Sequence, residues 1–261
     1  MLPCRIPQNI DEENCMKRWF VCGMFVMVLA LSGSAASASD ISFITKLAQD
    51  EFRSLSKEAG AALGYRNLAP AAPLGISGFD IAAEASAISI DKGSSYWKSA
   101  FNSDAPSYLI IPKVRVRKGL PFGIDVGAMY SGSTSSNIKL YGVEVSKSIL
   151  SGGAASPAIG VRGTFTKLDG VKDLGLQTYG ADASISKGFV FITPYAGAGV
   201  LWVTSEAKGN LQVMSNLAKE TNTVPRFFGG VKLTPFPLVG VTVEAEYAVR
   251  PIYSLKAGVS F

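Results

Sequence analysis

The chemistry of this chain lies in a phase. Read at every second residue through its alternating runs, the sequence places fourteen ionisable side chains on one face. They are Asp80, Glu84, Lys113, Arg115, Arg117, Asp125, Glu144, Arg162, Asp182, Arg226, Lys232, Glu244, Glu246 and Lys256, seven acidic and seven basic. Successive side chains of a strand point to opposite faces, so one face of a sheet carries charge. Such balance suits ion pairs across neighbouring strands: Lys113, Arg115 and Arg117 fall between Asp80 and Glu84 on one side and Asp125 on the other. Left unpaired, Lys113, Arg115, Arg117 and Arg162 would instead line a passage favouring anions. Glu244 and Glu246 are the carboxylate pair with the spacing for acid–base work, but nothing beside them marks a substrate site. The chain has no histidine, which excludes His-based triads and His-ligated metals. No acidic loop shows the ligand spacing of a Ca²⁺ site. The expectation is a protein with no catalytic, cofactor or metal site.

The elements that carry this face are strands. From Val239 to Val249 the residues Val239, Val241, Val243, Ala245, Tyr247 and Val249 are apolar, with Thr242, Glu244, Glu246 and Ala248 between them. Ten such runs follow one another, near 78–90, 107–118, 122–132, 137–149, 157–167, 174–186, 189–204, 224–234, 239–250 and 252–261. Most have about the 9–11 residues that a tilted strand needs to cross a bilayer. One face suits hydrocarbon and the other carries charge, and in lipid only a closed sheet pairs every backbone group. The fold class expected is all-β: a closed antiparallel transmembrane β-barrel of about ten strands, with eight and twelve as alternatives, preceded by a short N-terminal amphipathic helix. The short connection at Arg250-Pro251, and Pro112 and Pro194 inside runs, stand against the count of ten, because proline removes a ladder hydrogen bond. Short and long connections alternate, as in barrels with short periplasmic turns and long outer loops. Aromatics fall near the strand ends. Ten strands enclose little space, so the long charged side chains are expected to leave the lumen largely occluded.

Ahead of the barrel, residues 1–38 read as a removable signal peptide with an upstream extension. Met16-Lys17-Arg18, the apolar run Trp19–Leu31 and Ala36-Ser37-Ala38 give charge, core and cut site in order. Cys4, Cys15 and Cys22 all precede the cut, so the mature chain uses no disulfide or thiolate site. Residues 39–76 read as a periplasmic amphipathic helix over Ile41–Leu63 and a Pro-rich linker, with 77–261 as the barrel. Packing beneath the barrel, a plug inside the lumen and a membrane-surface helix are the three arrangements open to the helix. The net charge of +5 is not gathered into a tract that would bind nucleic acid.

The last strand, with Tyr253, Leu255, Ala257, Val259 and terminal Phe261, resembles the C-terminal signature of bacterial outer-membrane β-barrel proteins. The resemblance implies recognition by the barrel-assembly machinery. Leu74–Asp80 and Lys118–Tyr130 are similar to segments of small, uncharacterised proteobacterial barrels, a similarity that implies no activity. The outer-membrane proteases, phospholipases and lipid A deacylases rely on a catalytic His that this chain lacks. These features lead to an integral protein of the Gram-negative outer membrane, with both termini periplasmic. Its partners would be lipid, lipopolysaccharide and the assembly machinery, and its role structural or surface-interacting. The alternative is a narrow, porin-like channel for small, anionic solutes. In the loop Asp91–Pro106, Tyr96, Trp97 and Phe101 are candidates for interfacial anchoring or surface contact.

Overall fold

The computed structural model describes residues 43, 45–101, 105–132, 137–153 and 155–261. The signal-peptide reading lies outside them, as do Ile41, Ser42 and Ile44 of the expected helix. Ten antiparallel strands close into a barrel in which each strand pairs with its sequence neighbours and β1 pairs with β10. They are β1 (Phe79–Ser89), β2 (Tyr108–Leu120), β3 (Ile124–Gly132), β4 (Lys139–Ser151), β5 (Ala158–Asp169), β6 (Leu174–Ser186), β7 (Ile192–Ala207), β8 (Glu220–Phe236), β9 (Val239–Ala248) and β10 (Arg250–Ser260). Among the described residues three α-helices accompany them, α1 (Gln49–Leu63), α2 (Ser95–Ala100) between β1 and β2, and α3 (Gly209–Ser215) between β7 and β8, with a 3-10 turn at Pro121–Gly123 between β2 and β3.

The features that weighed against ten strands have local explanations. Val249 takes φ +65°, which lets β9 and β10 join in a tight turn. The strand prolines sit where one of their two ladders has ended. Pro112 pairs with Ala85 on β1, but pairing with β3 starts only at Val114. Pro194 pairs with Val231 on β8, one residue before pairing with β6 starts at Tyr195. Pro225 on β8 and Pro251 on β10 repeat the pattern. A missing N–H costs nothing where no partner strand waits for it.

Burial is inverted relative to a soluble protein. Along β2, Val114 and Val116 are exposed while Lys113, Arg115 and Arg117 between them are buried. Val143 and Val145 on β4, Val161 on β5 and Val243 on β9 also face outward. Tyr253 and Phe261 are exposed, and Leu255, Ala257 and Val259 between them are half-buried, on the same outer face. An outer wall of apolar side chains around a charged interior is stable only where the surroundings are apolar too.

The barrel has two unlike ends. At one, the connections are short, around Phe122, Gly152, Val190 and Leu238. At the other lie α2, α3 and the longer loops. Phe79 and Phe261 meet at the short-turn end, each donating its N–H to the other's carbonyl, at 2.7 and 3.0 Å.

Candidate functional site

The lumen is occupied by the chain's own N-terminal segment. A ten-stranded barrel with strands about 4.8 Å apart and tilted by about 40° is roughly 20 Å across, room for one helix of about 10 Å and the inward side chains. Helix α1 takes that room in the loop-end half. Phe52, Leu55, Ala59 and Ala62 are buried against inward residues of the wall, among them Ile88, Leu176, Leu201, Val203 and Ile252. The approach is close: a Cβ on Gly60 would stand 2.3 Å from the Val203 side chain. Above α1, Phe43 donates its N–H to Asp173 at 3.2 Å, Thr45 to Ser99 at 3.2 Å and Leu47 to Ser215 at 3.1 Å. The segment is thereby stitched to three different loops of the loop end. At the start of α1, hydrogen bonds from the Ser95 hydroxyl and the Ala48 N–H hold the Glu51 carboxyl below its ordinary value of 4.5.

Below α1 the chain runs without regular structure from Gly64 to Gly78 and leaves at the short-turn end, where it becomes β1. Its crossing point is Tyr65-Arg66-Asn67. Three wall arginines reach inward and donate to three successive carbonyls. Arg226 binds Tyr65 O at 2.7 Å, Arg115 and Arg162 each bind Arg66 O at 2.7 Å, and Arg115 also binds Asn67 O at 2.8 Å. The Arg115 guanidinium lies over the Tyr65 ring, 4.5 Å from its centroid. In return Arg66 pairs with Glu246 at 2.5 Å, and Leu68 N–H donates to Glu244 at 2.9 Å. Further down, Ala71 N–H binds Ser186 at 3.0 Å and Leu74 N–H binds Asp125 at 3.1 Å.

The fourteen residues of the charged phase stand in the wall around this crossing. Thirteen of them are buried and Lys232 is half-buried. Arg115 pairs with Glu84 at 2.8 Å, Arg117 with Asp125 at 3.1 Å and Glu144 at 2.8 Å, and Arg162 with Glu144 at 3.5 Å and Asp182 at 2.6 Å. Arg226 shares Asp182, and Lys256 reaches Asp80 at 2.9 Å. Glu244 accepts from Tyr195 at 2.8 Å, besides Leu68. Among the described residues Lys113 hydrogen-bonds only the Ser86 hydroxyl, at 3.3 Å, and Lys232 only that of Ser260, at 3.3 Å. Glu244 and Glu246 are thus both engaged by the threaded segment. Among the described residues no group of three or more His, Cys, Asp or Glu stands together to hold a metal ion.

The mature N-terminus expected at residue 39 lies outside the described residues; the first described residue, Phe43, lies at the loop end and Phe261 at the short-turn end, because an extended linker and a helix together span the barrel. One expectation is corrected: Tyr96 and Trp97 are expected at an interface or a contact surface. Both are buried, and Trp97 donates its indole N–H to Glu58 of α1 at 2.7 Å. A large aromatic with a polar tip closes over the plug here instead of facing outward.

Arg66 and the apolar loop-end wall are the functional features that alternation alone did not reveal. Their signals are present: Arg66 is the lone charge between Gly60 and Pro73. The inward phase also turns from charged to apolar toward the loop end, as in Asp80, Ala82, Glu84, Ser86, Ile88.

No family model matches the chain, and no curated protein matches it. Among solved structures, the N-terminal β-barrel domain of Pseudomonas aeruginosa OprF is similar at 12% identity, over 72% of this chain and 99% of that one, with a TM-score of 0.35. Neisserial surface protein A is similar at 13% identity over 70% and 95%, with a TM-score of 0.32. The KdgM porin follows at 9% identity over 70% and 99%, with a TM-score of 0.34. At these scores the likeness adds nothing to what the strand ladder itself establishes.

Proposed function

We propose that this protein is a non-catalytic outer-membrane barrel whose lumen is sealed by its own threaded N-terminal segment, and that it acts through its outer loops. The observation that carries this is the double lock on the segment: an apolar layer around α1 and an ionic layer around Tyr65-Arg66-Asn67. Solute conduction through this lumen requires the segment to leave, which would break both layers at once. The apolar outer wall and the closed ladder support residence in a bilayer, and the short turns support a periplasmic placement of that end. The terminal strand supports recognition by the assembly machinery.

Exposed lysines ring the loop end, including Lys92, Lys98, Lys139, Lys167, Lys172 and Lys208. Their position suits the phosphates of lipopolysaccharide in the outer leaflet. On α3, Val213 and Met214 are exposed beside them, an apolar contact of the kind a surface partner uses.

The test is labelling of intact cells. The mature chain is read as free of cysteine, so a single Thr45→Cys or Ser156→Cys reports one end. Thr45→Cys is expected to react with a membrane-impermeant maleimide in intact cells, and Ser156→Cys only after lysis. The reverse pattern contradicts the orientation. Labelling of both only after lysis contradicts the threading through the membrane.

A further inference from the structure

At the short-turn end the lumen widens into a cavity of about 410 Å³ that the threaded segment leaves open. Its floor is the linker, with Ala69, Pro70, Ala72 and Pro73. Proline supplies no N–H, so the floor is largely apolar. Its wall brings in Arg117 from β2, Lys232 from β8 and Lys256 from β10, with Asp80 as the lone carboxylate of the lining. The charges do not cancel. Asp80 is taken by Lys256, and Arg117 is taken by Asp125 and Glu144. Lys232 has no carboxylate within ion-pair distance among the described residues and rests on the Ser260 hydroxyl at 3.3 Å. An ammonium drawn partly out of water with no carboxylate in contact is costly, and Asp80, the nearby carboxylate of the lining, is already held by Lys256. An anion in the cavity would remove that cost.

The other end of the lumen is closed by α1 and its apolar layer, so the space is a blind cup and not one end of a passage. Its volume falls in the range of small-molecule sites, about 300–1,000 Å³. Three cationic side chains on three strands, with hydroxyls at Thr193 and Thr234 on the rim, make a lining whose size and charge match a compact multivalent oxyanion. The apolar floor leaves room for a small organic group attached to it. We propose that this cup is a binding site for a small soluble phosphate-bearing anion, with Lys232 supplying a charge that no carboxylate contacts. A phosphate-bearing lipid offers the same chemistry, but the cup lies on the barrel axis behind the turns, where a soluble solute has direct access.

The proposal is tested by calorimetry on the refolded full barrel, including its threaded segment, in zwitterionic detergent at low salt. The probes are inorganic phosphate, glycerol phosphate and phosphatidylglycerol. Saturable one-to-one binding of a soluble probe is expected. Lys232→Gln should weaken it about tenfold or more, the loss typical of one charge-assisted hydrogen bond. Thr193→Glu, which adds a like charge at the rim, should also weaken it. Lys208→Gln at the loop end should leave it unchanged. Heat-modified gel mobility shows that each variant is folded. No saturable binding of a soluble probe overturns the site, as does equal weakening by Lys232→Gln and Lys208→Gln. Binding confined to phosphatidylglycerol overturns it too. None of these outcomes bears on whether the barrel conducts.

Discussion

Arg66 shows how one side chain ties segment to wall. Its guanidinium is fully buried, holds Glu246 and donates back to the carbonyls of Ala61 and Ala62 at the end of α1. Two charges in such a place stabilise little as a pair, because desolvation offsets their attraction, yet removing one leaves the other stranded. Arg66→Met is therefore expected to destabilise the barrel by about 3–5 kcal/mol in reversible urea unfolding. Adding Glu246→Gln should recover a large part of that loss. Additive losses would show that the two side chains do not interact. Glu51 sets a second, weaker dependence. Its carboxyl is held below 4.5 in the folded protein, so its contribution is present above that pH and is lost as pH falls through the lower folded value. Hydrogen exchange in the first turn of α1, corrected for intrinsic rate, should quicken in acid, and Glu51→Gln should bring the same loosening at neutral pH.

The strands were legible because two demands on them coincide. An apolar outer face and a charged inner face enforce period two, and a slip of one residue would turn Arg115 onto the outer face and Val114 into the lumen. Helix α1 was legible as an element, but its place was not. Its buried stripe fits any apolar surface, and the surface that receives it is spread over strands as far apart in sequence as β1, β6, β7 and β10. The ionic layer was half legible. Wall charges such as Arg115 and Glu84 could be paired by strand adjacency, whereas the carbonyls of Tyr65, Arg66 and Asn67 have no signature in residue type. Gly60 tests the placement of α1. Gly60→Leu would drive a side chain into Val203, where a Cβ alone already clashes. A loss of about 1–3 kcal/mol is expected from such overpacking, read from the urea midpoint. Stability equal to or above the parent's would mean that α1 does not rest on β7.

For the whole molecule, threading constrains assembly as well as transport. The plug leads directly into β1, and β1 closes the barrel against β10. A closed ring cannot be threaded afterwards without opening it, so the β1–β10 seam must form around the segment. The molecule then has three layers along its axis: an apolar plug under the long loops, an ionic crossing at Tyr65-Arg66-Asn67, and an open basic cup at the short turns. Whether that filling persists in a bilayer decides between a sealed barrel and a channel. The most direct measurement is single-channel recording of refolded Ser39–Phe261 beside a chain lacking residues 39–76, with insertion of both verified independently. The full chain is expected to stay silent and the shortened chain to give discrete conductance steps. Reproducible steps of similar size from both would contradict the sealed lumen and make the protein a channel.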